Sequence, residues 1–212
     1  MLRALRAELV YFRPWLLGGL GIAFFVSTVL VVLTLLPSVG SDMPTFLPAM
    51  FPIIAGMVVS FIAQSYRSEE HRARLLLAGP LVPRQLAGVV VLLPVCLVGL
   101  GAAAGAVWLV VASWVTGPLE SGSLTTLGVL TAQFLAYAQM GPLAQEATAA
   151  RRQRRHRAAV VGWTFFVALV LFMVASQFVL GSIYGNAGLL VTVVTAMVVS
   201  AMLYPGRTDF TR

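Results

Sequence analysis

Long apolar stretches separated by short polar segments dominate the pattern of this 212-residue chain. Crossing a bilayer core of about 30 Å takes roughly 20 apolar helical residues, and several stretches approach that length. They cover residues 15–36, 48–66, 86–115, 124–143, 158–180 and 188–204. These stretches lack the alternation of barrel strands, so helices are the expected way to satisfy the backbone in hydrocarbon. The pattern predicts an all-α polytopic membrane protein with six transmembrane helices.

The N-terminal segment carries a different pattern. Its apolar residues recur at helical spacing and are Leu2, Leu5, Leu9 and Phe12. Arg3 and Glu8 lie off this stripe, which is typical of an amphipathic helix lying at the membrane interface. We therefore expect a single membrane domain with an interfacial elbow helix at 1–14, six spans within 15–204 and a cytoplasmic tail at 205–212.

The charged residues divide the chain into two sets of connections. All 14 basic residues are arginines, and they lie in the N-terminus, in 67–85, in 144–157 and in the C-terminus. The alternate connections contain no arginine: 37–47 contains Asp42, 116–123 contains Glu120, and 181–187 is uncharged. Because arginine-rich segments stay on the cytoplasmic side, this distribution predicts cytoplasmic termini and an even number of spans. We expect a multi-pass protein of a bacterial plasma (inner) membrane.

The composition excludes several classes of function. Hydrophobic residues make up 59% of the chain and charged residues 10%, whereas soluble domains carry about 25% charged residues, so a soluble enzyme is excluded. Without lysine the chain has neither the P-loop residue that contacts nucleotide phosphates nor a Schiff-base amine. The spans contain no strongly charged residue, which argues against an ion or proton relay.

The connection after the second apolar stretch is the most informative segment. It begins Arg67-Ser-Glu-Glu-His-Arg-Ala-Arg and continues through Leu75–Leu77 to Gly79-Pro80 and Pro83. Gly-Pro stops a helix, and proline suits the first turn of the next one. This mixture of charge and leucine favours docking onto another protein, although an ordinary connection between spans has the same pattern.

The elbow helix, six spans and a Glu-rich start to an LLL-x-x-Pro-x-x-x-Arg loop resemble type-two ABC exporter permeases, including the haem-exporter membrane subunit. In that family the loop couples to a separate ATPase subunit. The resemblance implies that 67–85 is the ATPase-coupling loop, with the following contact residues: Glu69, Glu70, Arg72, Arg74, Leu76, Pro80 and Arg84. The family's Gly-Thr-Leu-Glu is replaced here by His71-Arg72-Ala73-Arg74.

The resemblance also implies partners. The chain would be no enzyme and hold no cofactor, because ATP and Mg²⁺ would bind the partner ATPase. A second permease copy or paralogue would complete a homo- or heterodimer within membrane lipid. The cargo would be a hydrophobic or amphipathic substrate, moved outward by the partner's ATP hydrolysis.

Two sets of residues within the spans have alternative interpretations. Gln133 and Tyr137 share a helix face, and with Gln64 and Gln177 they predict a weakly polar translocation path; hydrogen bonding between helices is the alternative. Gly101 and Gly105 form a small-xxx-small pair, which serves either a dimer or packing within one subunit.

Other functions are less well supported. Glu69-Glu70-x-x-x-Arg74 matches the EExxxR signature of intramembrane CAAX-type proteases, but His71 and His156 are the only histidines, and both lie in connections. No metal or nucleic-acid site is expected, since anionic lipid and topology explain the arginines of 151–157. A non-transporting membrane scaffold or immunity-type protein remains the alternative to the exporter.

Overall fold

The structure, a computed structural model, describes residues 2–34, 47–67, 83–116, 122–152, 155–177 and 183–203. These residues form six α-helices and no strand. The helices are α1 (Leu2–Thr34), α2 (Leu47–Arg67), α3 (Pro83–Thr116), α4 (Ser123–Arg152), α5 (His156–Gln177) and α6 (Ile183–Leu203). The all-α prediction is confirmed for this part of the chain.

Four of the helices are long and apolar enough to cross a membrane. The qualifying segments are Glu8–Leu33, Leu47–Gln64, Gly88–Val111 and His156–Ala175. In α6 the apolar segment Ala187–Leu203 is shorter than these four. Helix α4 is not apolar enough over the length needed to cross a membrane. The fold is therefore an all-helical bundle with four helices suited to a bilayer, and spans at α4 and α6 stay predictions.

The first helix contains the predicted elbow segment and most of the first predicted span. Residues 2–34 form one continuous helix, with Pro14 inside it, whereas the sequence suggested an elbow helix ending at residue 14. Leu5 and Phe12 are buried in a cluster with Val59 of α2 and Leu93 of α3. The amphipathic stripe therefore packs against the bundle, and this packing holds the first turns in line with the rest of α1.

The helices pack as two groups of three. Within the first group α2 contacts α3 most extensively and α1 packs against both, while α4, α5 and α6 contact one another in the second. The groups meet where α4 packs against α2 and α3, with a smaller contact between α3 and α6. This arrangement makes α4 the main bridge between the two halves of the bundle.

Helix α4 is enclosed by its neighbours. From residue 129 to residue 150 it has no exposed side chain. An enclosed helix does not need an apolar face toward lipid, so it can carry glutamine, threonine and Glu146 among its buried and half-buried residues. Enclosure explains why α4 is the least apolar of the six helices.

Candidate functional site: the polar ties of the bundle core

Buried glutamines link the helices at the centre of the bundle. Gln64 of α2 is 4% exposed, and Gln139 of α4 is fully buried. Each donates a side-chain hydrogen bond to a backbone carbonyl of another helix. With Ser27 of α1 these residues form what we call the polar ties.

The first tie compensates for a proline in α4. Pro142 has no N–H, so the carbonyl of Ala138, four residues earlier, loses its intrahelical donor. The Nε2 atom of Gln64 donates to that carbonyl oxygen at 3.0 Å and to the Ser60 hydroxyl at 3.1 Å. A side chain of α2 thereby satisfies a backbone group that a proline has freed inside an apolar bundle.

The second tie follows the same rule at the start of α2. Pro52 removes the donor for the carbonyl of Pro48. The hydroxyl of buried Ser27 donates to this carbonyl at 2.6 Å. This hydrogen bond joins α1 to α2 at the Pro48 carbonyl, which lacks a donor within its own helix because of Pro52.

The third tie joins α4 to α3. The Nε2 atom of Gln139 donates to the carbonyl of Val91 at 2.9 Å. Val91 lies in the turn before Pro94, where the ring of an interior proline disrupts the helix. Gln64 thus links α2 to α4 by a hydrogen bond, and Gln139 links α4 to α3.

The Gln64 amide also depends on a glycine. Its Oε1 atom lies against Gly141, in the space that a Cβ at that position would occupy. This oxygen accepts no hydrogen bond from the part of the chain that the structure describes. A side chain at position 141 would require the end of the Gln64 side chain to shift away from its present place between α2 and α4.

The predicted path residues fall partly on one stripe. Gln133, Tyr137 and Gly141 follow one another at four-residue spacing on α4, so the structure brings Gln64 next to the face that carries the other two. Tyr137 packs at the edge of a cluster with Met173 of α5 and Leu189 of α6. Both Gln133 and Tyr137 are half-buried. The Gln177 side chain lies outside the described residues.

The two glycines of α3 lie against α2 of the same chain. A Cβ on Gly101 would collide with the Pro52 carbonyl, and one on Gly105 would approach the Ala49 carbonyl oxygen to 2.6 Å. From the other side, Gly56 of α2 meets the backbone of Leu97. These glycines bring the two helices into backbone contact.

Most of the predicted coupling residues lie outside the described residues. They are Glu69, Glu70, Arg72, Arg74, Leu76 and Pro80. Arg84 is in the first turn of α3, and its side chain is outside the described part as well. The start of α3 at Pro83 confirms the predicted helix beginning.

Sequence reasoning missed the proline carbonyls as acceptors. The available signal was the number of prolines inside apolar stretches, since each frees the carbonyl four residues earlier. Pro52 and Pro142 therefore marked Pro48 and Ala138 as groups in need of donors. The sequence could not say which distant side chains would supply them.

Searches of protein-family models, curated proteins and solved structures find no match to this chain. The fold defines an all-helical protein in which four helices are long and apolar enough to cross a membrane.

Proposed function

We propose that the chain is the transmembrane permease subunit of an ABC-type exporter, which moves a hydrophobic or amphipathic substrate while a separate subunit hydrolyses ATP. In this proposal six helices span a bacterial inner membrane, with both termini in the cytoplasm. The arginine distribution supports this topology, and the enclosure of α4 removes the objection that its sequence is too polar for lipid.

The observation that carries the proposal is the packing of α2 against α3, the two helices on either side of the proposed coupling segment.

 These two helices make the most extensive contact in the bundle, and their backbones touch at Gly56 and Gly101. At these glycines no side-chain layer separates the two backbones. We therefore expect a force applied to the connection 68–82 to move α2 and α3 together.

The polar ties extend this unit to the second half of the bundle. Gln64, three residues before the end of α2, donates to the Ala138 carbonyl of α4, and Gln139 links α4 back to α3. Movement of the α2–α3 pair would thus reach α4, which contacts both α5 and α6. This is the connectivity that an ATPase-driven change of access requires.

The test replaces both acidic residues of the coupling segment. We expect Glu69→Gln with Glu70→Gln to leave the protein folded in the membrane and to abolish transport-linked ATP hydrolysis. The matched control is Glu120→Gln, which removes a carboxylate from a connection of the other set. The measurements are copurification of an ATPase from native membranes and the substrate- or permease-dependent change in its ATPase rate.

Two results would contradict the proposal. One is the absence of any ATPase among the proteins that copurify with the chain from native membranes. The other concerns the coupling residues alone: unchanged ATPase stimulation in the double variant would place the coupling contacts elsewhere.

A further inference from the structure

A long apolar groove runs between α1 and α2 on the outside of the bundle. Its volume is about 630 Å³, within the range of about 300–1,000 Å³ that is usual for small-molecule sites. Its walls run from Pro14 to Val26 on α1 and from Phe51 to Ile62 on α2. No charged side chain lines it among the described residues.

The length of the groove indicates its occupant. The wall on α1 covers twelve helical steps and the wall on α2 eleven, which at 1.5 Å per residue is about 18 Å and about 16 Å. Half of a bilayer core is about 15 Å thick. The groove therefore matches the depth of one leaflet, and both of its helices are suited to cross a membrane.

One end of the groove has the side chains expected at a membrane interface. Trp15 lines this end and is 48% exposed; Tyr11, one turn earlier on the same side of α1, is 54% exposed. Such amphipathic rings favour the head-group level. Arg6 and Arg13 project from a different face of α1 by helical spacing, so they leave the groove without a basic rim.

We propose that this groove binds one acyl chain of a membrane phospholipid, taken from the leaflet in which Trp15 lies. Recognition is by chain length and apolar contact, and it is indifferent to head-group charge. The inference concerns a resident lipid site on the flank of the bundle, and it does not depend on whether the chain transports a substrate.

Two glycines of α1 provide a matched pair of variants. Gly18 lines the groove, whereas Gly21 does not, and a Cβ at either position would meet no atom within 4 Å. Gly18→Leu therefore fills the groove without disturbing helix packing. Gly21→Leu adds the same side chain to another exposed position of the same helix.

The full chain would be reconstituted in vesicles of phosphatidylcholine or phosphatidylglycerol with identical 18-carbon chains, solubilised, and analysed by native mass spectrometry. We expect wild-type protein and Gly21→Leu to retain one lipid at similar levels from both vesicles. Gly18→Leu should bind it about tenfold more weakly. Circular dichroism of all three proteins checks that the helices remain folded.

Several outcomes would overturn the proposal. Equal retention by Gly18→Leu and wild type would show that the groove is not the site, and equal loss in both variants would show a nonspecific effect. A strong preference for phosphatidylglycerol would indicate head-group recognition. If Gly18→Leu instead converts a dimer into a monomer without changing lipid retention, the occupant is a second copy of the chain.

Discussion

At the residue scale, three buried polar side chains, those of Ser27, Gln64 and Gln139, donate to backbone carbonyls of other helices. Gln64 and Ser27 each donate to a carbonyl whose helical donor is missing because a proline stands four residues later. An unsatisfied carbonyl costs several kcal/mol in a membrane interior. Each polar side chain therefore offsets the cost of one proline and joins two helices at the same time.

Gly141 should be intolerant of a side chain. Gly141→Ala places a Cβ in the space of the Gln64 amide oxygen, and we expect it to lower the free energy of unfolding by about 1–3 kcal/mol. Gly128→Ala is the control, because a Cβ there meets no atom within 4 Å on the same helix. Thermal unfolding in detergent, followed by circular dichroism, compares the two variants.

The mechanism can be separated from a general effect at position 141. Adding Gln64→Ala to Gly141→Ala removes the clashing amide, so the two changes together should destabilise less than the sum of the single changes. Additive losses would mean that the amide does not cause the sensitivity of Gly141.

At the scale of elements, the pair α2–α3 is held by backbone contact. Gly56 of α2 meets Leu97 of α3, and Gly101 of α3 meets Pro52 of α2. Small residues allow this close approach where the lipid supplies no hydrophobic force between helices. The pair is therefore stabilised by van der Waals contact between the two helices.

Gly101→Ala should separate α2 from α3. The new methyl group would strike the backbone of Pro52 and Ile53, and we expect a loss of about 1–3 kcal/mol in unfolding free energy. Gly99→Ala, on the same helix with open space around it, should be neutral or slightly stabilising. If both variants unfold at the wild-type temperature, the close approach of α2 and α3 does not contribute to stability.

At the scale of the whole molecule, enclosure decides which helices need to be apolar. Helices α1 and α5 expose large apolar side chains along much of their length, and both are suited to a bilayer. Helix α4 lies between the two halves of the bundle and carries most of its polar residues there. A helix surrounded by protein can cross a membrane without an apolar surface of its own.

The topology predicts which connections a membrane-impermeant maleimide reaches. In a Cys96→Ala background, we expect Ser41→Cys and Ser121→Cys to be labelled from outside intact cells. Gln153→Cys should be labelled only after permeabilisation, because in the proposed topology α4 crosses the membrane between residues 121 and 153. Labelling of Ser121→Cys and Gln153→Cys from the same side would show that α4 does not cross.

Hydrophobic patterning predicted the helices well, because apolar length is a local property of the chain. Helix α2 covers residues 47–67, close to the apolar stretch 48–66. Helix α3 begins at Pro83, the proline expected in its first turn. The predicted elbow helix lies within the continuous helix α1, and its position at the membrane interface stays a prediction. A stripe of apolar residues can pack against lipid or against protein. In the structure, Leu5 and Phe12 of this stripe pack against α2 and α3.

The sequence by itself determined that this chain is helical and suited to an apolar solvent. Composition and the length of each apolar stretch can be read from neighbouring residues alone. Only the tertiary structure decided the partners: which carbonyl Gln64 reaches, which backbone Gly101 touches and where a groove stays open between α1 and α2. The physical reason is that such contacts join residues distant along the chain, and their geometry exists only once the helices have packed.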